Sequence, residues 1–308
     1  MGVTRARRAS DRRAVENRIA ACYSTWSRSY FRDYYGPAAP YPPVHRRIIR
    51  RLVREAGARR VLDAGCGPAS VLRYLARDGA DVYGFDLTEQ MVDEARRVLA
   101  RQDVPASHIW KGSVLSRASF AVPGRARQPR FDAAVCIGVL PHVPAGSDRR
   151  VLSNLRDAVR PGGLVAVEAR NQLFAMYSLN RYSYDFFVNE LLDPGLVARL
   201  GAPAERALRE LKARFRMDLP PVRRGTARSP GYDEVLSRTH NPFELQALCR
   251  RLGLDDVRVH FYHYHCLPPM FEPFMPAAFR RESVAREHPD DWRGHFMASA
   301  FIVTGRRG

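Results

Sequence analysis

One ten-residue stretch, Val-Leu-Asp-Ala-Gly-Cys-Gly-Pro-Ala-Ser at positions 61–70, constrains the fold more than any other part of the chain. Its apolar start is typical of a short buried strand, and the closely spaced Gly65 and Gly67 predict a tight turn into a helix that begins near residue 71. Glycine permits φ values that other residues resist, and it leaves bare backbone against a bound ligand. We expect Asp63 to face a cationic or hydroxyl-bearing group of that ligand.

A second acid makes this interpretation more specific. Residues 82–86, Val-Tyr-Gly-Phe-Asp, predict a buried strand that ends in Asp86, 21 residues after Gly65. A carboxylate about 20 residues beyond the glycine turn binds ribose hydroxyls in nucleotide-binding α/β units. A dinucleotide site would place a third glycine at position 70, where this chain has Ser70. The pair of motifs therefore indicates a nucleotide-binding unit, with a dinucleotide as the less favoured ligand.

The segment 63–69 resembles the first motif of the class I S-adenosylmethionine-dependent methyltransferases, and Asp86 stands at the family's ribose-binding acid. The apolar run 131–137 and the Pro-Gly-Gly turn at 161–163 are similar to later parts of that family. The resemblance implies methyl transfer with S-adenosylmethionine as cofactor. It also implies an α/β, Rossmann-like fold with a seven-stranded, mostly parallel sheet and helices on both faces. Predicted strands three, five, six and seven lie at 107–111, 164–169, 256–265 and 296–304.

The resemblance also implies which residues bind the cofactor. Those near the strand ends are Asp63, Gly65, Cys66, Gly67, Asp86, Leu87, Met91, Gly112, Ser113, Cys136 and Ile137. Ser113 departs from the family pattern, because many members carry an acid there that meets the adenine amine. Aromatic residues at helical spacing in 14–35 predict an N-terminal helical segment, from which Tyr23 and Tyr30 are expected to touch the cofactor. The alternative is that these rings only pack on the core.

Two titratable residues are predicted near the reacting atoms. His142 follows the fourth strand and Glu168 ends the fifth, and ligands of open α/β sheets lie outside these strand ends. Either side chain is a candidate general base. For His142, the alternatives are helix capping and packing beside the adenine.

Beyond the fifth strand, 171–187 is dense in aromatic side chains with polar tips, which suits a small organic acceptor. The candidate substrate-binding residues are Tyr177, Arg181, Tyr182, Tyr184, His240 and His263. A buried helix with one solvent-exposed edge would show a similar pattern. We expect no metal site, because side chains alternate along a strand, so that His263 and His265 share a face and His260 does not.

The domain organisation follows from composition and segment length. Residues 1–15 are rich in arginine and predict a disordered basic tail, and residues 16–308 predict one methyltransferase domain. Cap elements are expected at about 170–238, after strand five, and at about 266–294. The five cysteines lack paired spacing, and neither a secretory signal nor an apolar run of about 18 residues is present. These features predict a cytoplasmic protein with free thiols.

The net charge of +18 is almost entirely due to arginine. It indicates either a polyanionic partner, an anionic substrate or a basic surface that contacts only solvent. The expected partner is a small acceptor of specialised or sugar- or nucleotide-linked metabolism, with an anionic group as one option, while nucleic acid and membrane are not expected. An RNA methyltransferase and a catalytically silent cofactor-binding member remain alternatives, and a homodimer is a further option. The sequence does not identify the acceptor or the atom that is methylated.

Overall fold

The computed structural model describes residues 2–27, 29–35, 42–126, 128–219, 224–227 and 229–308. Seven strands form one sheet in the order β3-β2-β1-β4-β5-β7-β6. Only the pairs that involve β7 are antiparallel. This topology confirms the predicted seven-stranded, mostly parallel sheet. The strands are β1 Arg60–Ala64, β2 Asp81–Asp86, β3 Ile109–Lys111, β4 Phe131–Cys136, β5 Val159–Arg170, β6 Leu254–Tyr264 and β7 Ala298–Arg307.

Helices cover both faces of the sheet because the strands are apolar on both sides. Val61 packs with α3, α4 and α5 on one face, whereas the next residue, Leu62, packs with α6 and α11 on the other. The helices of this core are α3 Val44–Glu55, α4 Leu72–Arg77, α5 Glu89–Leu99, α6 Asp148–Ala158 and α11 Pro242–Arg251. The N-terminal helices are α1 Gly2–Ser24 and α2 Tyr30–Tyr35. None of the helices in the described residues has the length and apolar character needed to cross a membrane.

Several predicted boundaries of secondary-structure elements differ from those in the structure. Strand β3 begins at Ile109 instead of residue 107, because Ala106–His108 forms a turn of 3-10 helix. Strands β6 and β7 are displaced by about two residues from the predicted ranges, as is common for element ends. Residues 2–15, which we predicted as part of a disordered tail, lie within α1, where alanine and arginine both favour helix. The division of the domain at residue 16 stays a prediction.

The chain between β5 and α11 crosses the carboxyl end of the sheet and forms most of the predicted cap. Its helices are α7 Ala175–Ser178, α8 Arg181–Phe186, α9 Pro194–Leu200 and α10 Ala202–Ala213. The cap returns to the sheet where His240 N–H donates to Arg170 O (2.8 Å) and Gln172 N–H donates to His240 O (3.0 Å). Helices α12 Pro276–Ala285 and α13 Gly294–Met297 form the second inserted region. The Asn171 amide ties the two regions together by donating to His295 O and Ala298 O (both 2.8 Å).

Candidate active site

The glycine turn after β1 leaves backbone exposed on one side. Gly65 and Gly67 have φ values of +89° and +51°, in the region that favours glycine. A Cβ on Gly65 would lie 2.3 Å from Cγ2 of Val139, so a side chain has no room there. A Cβ on Gly67 would meet no atom within 4 Å. Gly67 therefore faces open space, while Gly65 is needed for the packing of the turn.

Asp86 holds the ends of β1 and β2 together. Its Oδ2 accepts a hydrogen bond from Gly67 N–H (2.9 Å), and its Oδ1 accepts one from Thr88 N–H (3.0 Å). Burial raises the pKa of this carboxyl, although the hydrogen bonds from Thr88 and Gly67 act in the opposite direction. A carboxylate fixed in this way presents its remaining lone pairs to hydroxyl donors in the adjoining pocket.

A narrow pocket lies beside this turn and contains most of the predicted cofactor residues. The side chains around it are mainly apolar, and its only carboxylates among the described residues are Glu16 and Asp86. Of the predicted residues it is lined by Tyr23, Tyr30, Gly65, Gly67, Asp86, Leu87, Met91, Gly112, Ser113 and Ile137. A mainly apolar pocket that contains two acids suits an aromatic base joined to a ribose.

Cys136 does not line the narrow pocket, and its predicted contact with the cofactor, through the backbone, stays a prediction. Its side chain is fully buried in the core between the sheet and α6, because it points to the face opposite the turn. The sequence analysis also missed Glu16 and Ile19 of α1, which line the narrow pocket. Helical spacing was the available signal, since both share a face of α1 with Tyr23.

Asp63 lines a second, larger cavity that adjoins the narrow pocket. Cys66 lines the same cavity. Asp63 is 2% exposed, and no described residue forms a hydrogen bond with its Oδ1. Burial, together with the charge of Asp86, raises the pKa of this carboxyl to about 8. The buried Ser70 hydroxyl on the same wall likewise has no partner among the described residues. These orphaned groups match a ligand with both a cation and a hydrogen-bond acceptor.

The large cavity has a volume of about 1130 Å³ and lies between the carboxyl ends of the strands, the N-terminal helices and the cap. Seven residues line both this cavity and the narrow pocket, so the two spaces meet at one place, which we call the junction. The junction consists of Tyr23, Tyr30, Gly65, Gly67, Ile137, Gly138 and His142.

His142 has a defined role for each ring nitrogen at the junction. Its Nδ1 lies 2.6 Å from the carbonyl oxygen of Leu236, which only accepts, so Nδ1 carries the proton. Its Nε2 lies 2.9 Å from the Tyr23 hydroxyl and accepts that group's proton. Burial lowers the pKa of His142 to about 4, so the ring is neutral at pH 7.

Glu168 lies on the wall of the large cavity at the end of β5. Its Oε2 accepts a hydrogen bond from Gly138 N–H (2.6 Å). Burial raises the pKa of the Glu168 carboxyl, although a hydrogen bond from Tyr262 lowers it. The carboxyl group thus fixes the backbone of the junction against β5 and β6.

The structure brings only part of the predicted substrate set to the cavity. Arg181, Tyr182 and His263 line it. Tyr177, Tyr184 and His240 do not: the Tyr177 hydroxyl donates to Cys266 O (3.2 Å), the ring of Tyr184 faces Lys212, and His240 is buried beside Asp148. Helical rotation explains the position of the two tyrosines, since side chains of one helix point to different sides according to their place along it.

The residues of this lining that the sequence analysis missed include Tyr34, Tyr35, His45 and Arg170. The two tyrosines belong to the aromatic run that we had noted. The His45 ring accepts or donates a 2.7 Å hydrogen bond with the Tyr35 hydroxyl, and burial lowers its pKa to about 3. No sequence pattern indicated His45, because its neighbours on α3 face the core or solvent.

The charges around the large cavity differ in sign from those of the whole chain. Its lining includes two arginines but five carboxyl groups, which belong to Asp63, Glu168, Asp185, Glu190 and Asp233. The anionic acceptor that we considered from the net charge therefore gains no support from this lining. In the described part of the chain, no group of three or more His, Cys, Asp or Glu side chains is arranged to hold a metal ion.

The sheet order, the antiparallel β7 and the glycine turn beside Asp86 define the Rossmann-like methyltransferase fold. Residues 61–163 match the family model described as a methyltransferase domain. This match, over a third of the chain, confirms the resemblance to the class I S-adenosylmethionine-dependent methyltransferases that the sequence analysis stated.

The chain is also similar to curated relatives and to solved structures. A ubiquinone biosynthesis O-methyltransferase of Coxiella burnetii is 26% identical over 166 residues, which are 52% of this chain and 66% of that protein. The protein of that name from Xylella fastidiosa is 29% identical over 58% of this chain and 68% of its own length. The chain thus spans about two thirds of the length of these relatives. The structure of magnesium protoporphyrin IX methyltransferase from Synechocystis, solved with S-adenosylhomocysteine, matches with a TM-score of 0.49 and 15% identity. The match covers 97% of this chain and 100% of that protein.

S-adenosylmethionine is the cofactor of this family, and the residues present fit it. The narrow pocket suits the adenosine part, with Asp86 toward the ribose. The orphaned Asp63 oxygen suits the ammonium of the methionine part, because burial makes an unpaired carboxylate costly and a cation relieves that cost.

Proposed function

We propose that this chain transfers a methyl group from S-adenosylmethionine to a hydroxyl oxygen of a small acceptor enclosed in the large cavity. The observation that supports this most strongly is the junction, where cofactor pocket and cavity share seven lining residues. The bound cofactor supplies a methyl group activated by its sulfonium. The protein's contribution is then mainly alignment and the exclusion of water. The names of the O-methyltransferase relatives favour oxygen as the accepting atom.

The cavity also limits the acceptor class. Its volume of about 1130 Å³ suits a molecule larger than a single ring, since typical small-molecule sites measure about 300–1,000 Å³. Tyrosine rings line one side, and Arg181 and Tyr182 of the cap line another. A neutral, partly aromatic metabolite with a phenolic hydroxyl fits these walls better than an anion does. Such acceptors occur in specialised metabolism, in keeping with our expectation from the sequence.

We assign the proton acceptor to His142 acting together with Tyr23. The Leu236 carbonyl holds the imidazole in the tautomer whose Nε2 accepts, and Tyr23 points its hydroxyl proton at that nitrogen. An acceptor hydroxyl at the junction donates to the Tyr23 oxygen as the Tyr23 proton moves to Nε2. A pKa of about 4 makes His142 a weak base, so proton transfer accompanies or follows methyl transfer, when the acceptor oxygen has become acidic. Glu168 then acts as a positioning residue through Gly138.

Labelled methyl transfer tests this proposal. The purified chain is incubated with methyl-labelled S-adenosylmethionine and with matched phenols, anilines and RNA. We expect label in phenols. Label in anilines alone would refute the choice of oxygen, and label in RNA would favour the polyanion interpretation of the +18 charge.

Variants test the proton acceptor in the same assay. Tyr23→Phe and His142→Ala should each lower kcat by about 10²- to 10⁴-fold at saturating cofactor. Tyr184→Phe, which removes a hydroxyl outside the cavity, should leave kcat unchanged. Because the pKa of His142 is about 4, the acid limb of the kcat profile should lie near pH 4 and not near 6.5. Wild-type kcat in His142→Ala would exclude this residue as the base.

A further inference from the structure

Glu16 lines the narrow pocket and does not belong to the junction. It lies on α1, and it lines the pocket together with Ser113, Val114 and Leu115, which follow β3. The other carboxylate of the pocket, Asp86, already accepts hydrogen bonds from the backbone at Gly67 and Thr88. Glu16 is therefore the carboxylate with most capacity for a donor from the ligand.

A directed hydrogen-bond chain holds Glu16 in place. The Leu115 N–H donates to the Ser113 hydroxyl oxygen (3.1 Å), and the Ser113 hydroxyl donates to Oε1 of Glu16. Because a carboxylate oxygen only accepts, the hydroxyl proton of Ser113 is directed to Glu16. Glu16 is thus an acceptor at Oε1, and no described residue donates a hydrogen bond to its Oε2.

We propose that Glu16 accepts a hydrogen bond from the exocyclic amine of the cofactor's adenine and so selects adenine over 6-oxo purines. An amine donates a hydrogen bond to a carboxylate. A keto oxygen in the same position only accepts, so the keto oxygen and the carboxylate oxygen would face each other without a proton between them. The inference rests on the proposed use of S-adenosylmethionine. It assigns base recognition to a helix that precedes the sheet in sequence.

The same face of α1 reaches the junction. Glu16, Ile19 and Tyr23 lie at spacings of three and four residues, and all three line the narrow pocket. Recognition of adenine by Glu16 therefore also fixes the helix that carries Tyr23 to His142. A cofactor analogue whose base cannot donate to Glu16 should therefore bind less tightly, and the acceptor should be less well aligned in its presence.

Calorimetry with two ligands tests the assignment. S-adenosylhomocysteine and S-inosylhomocysteine differ at the purine 6-position, where an amine is replaced by a keto group. The wild-type chain should bind the adenine ligand about 10- to 100-fold more tightly, as is typical for a hydrogen bond to a charged group. Glu16→Gln should reduce this preference to within about threefold, because an amide both donates and accepts. Glu55→Gln, at an exposed position of α3 outside both cavities, is the matched control and should keep the wild-type preference.

An exchange variant keeps the test informative if Glu16→Gln binds neither ligand. Glu16→Ser combined with Ser113→Asp moves the acid from α1 to the end of β3, and it should restore at least part of the preference for adenine. An unchanged preference in Glu16→Gln, or an exchange variant that binds S-adenosylhomocysteine without preference, would overturn the role of Glu16. Failure of the wild-type chain to bind S-adenosylhomocysteine would instead refute the proposed cofactor, so the two failures are distinguishable.

Discussion

Asp63 should lose a proton when S-adenosylhomocysteine binds. Its carboxyl is 2% exposed, and burial together with Asp86 raises its pKa to about 8. With that pKa, about one tenth of the group is ionised at pH 7. A ligand ammonium beside it requires the carboxylate, so binding at pH 7 should release about 0.9 proton from this residue. Affinity should rise about tenfold for each pH unit up to about pH 8 and then level off.

Calorimetric titrations at pH 7 in two buffers of different ionisation enthalpy measure this proton count. Asp63→Asn removes the titrating group while keeping its shape. Any proton that this variant still exchanges on binding therefore comes from another residue. A second control is 5′-methylthioadenosine, which lacks the amino-acid part and should bind without proton release. If S-adenosylhomocysteine releases no more protons from the wild-type chain than from Asp63→Asn, the ammonium does not bind at Asp63.

Three other variants test separate parts of the site. Gly65→Ala should lower the melting temperature for two reasons: its Cβ would lie 2.3 Å from Val139, and its φ of +89° is unfavourable for alanine. Adding Val139→Ala removes the clash but not the unfavourable φ, so it should restore only part of the lost melting temperature. Glu168→Gln should keep kcat within about tenfold, because an amide oxygen still accepts from Gly138, whereas a general base would lose about 10²- to 10⁴-fold. Arg181→Ala should raise the acceptor KM without changing cofactor affinity, while Arg199→Ala, elsewhere in the cap, should change neither, as steady-state kinetics will show.

The sheet and the cofactor pocket were predictable because they depend on local patterns. A buried strand, a glycine turn and an acid at a fixed distance each have short sequence signals, and the structure joins them as Gly67 N–H donates to Asp86. The start of α5 has a local signal of the same kind, because Thr88 is its N-cap and the Thr88 hydroxyl oxygen accepts from Met91 N–H (3.2 Å). The sequence did not show that the Cys136 side chain lies in the core, because a strand of apolar residues gives no sign of which face meets the ligand.

The cavity was less predictable because contacts distant in sequence form it. His142 meets Tyr23 across 119 positions, and Ser113 meets Glu16 across 97. No local pattern specifies such pairs. The aromatic run in the cap was informative as a group, but only the direction of each helix decides that Tyr182 lines the cavity and Tyr184 does not.

The most direct test of the cofactor assignment compares two glycines. Gly67 and Gly57 have φ values of +51° and +59°, and an added Cβ meets no atom within 4 Å at either position. Alanine should therefore cost a similar amount of stability in both, about 1–2 kcal/mol. Gly67 lines both the narrow pocket and the large cavity, whereas Gly57 follows α3 and lines neither. Titration with S-adenosylhomocysteine should show binding lost or strongly weakened in Gly67→Ala and unchanged in Gly57→Ala. Equal affinity in both variants would show that the cofactor does not lie against this turn.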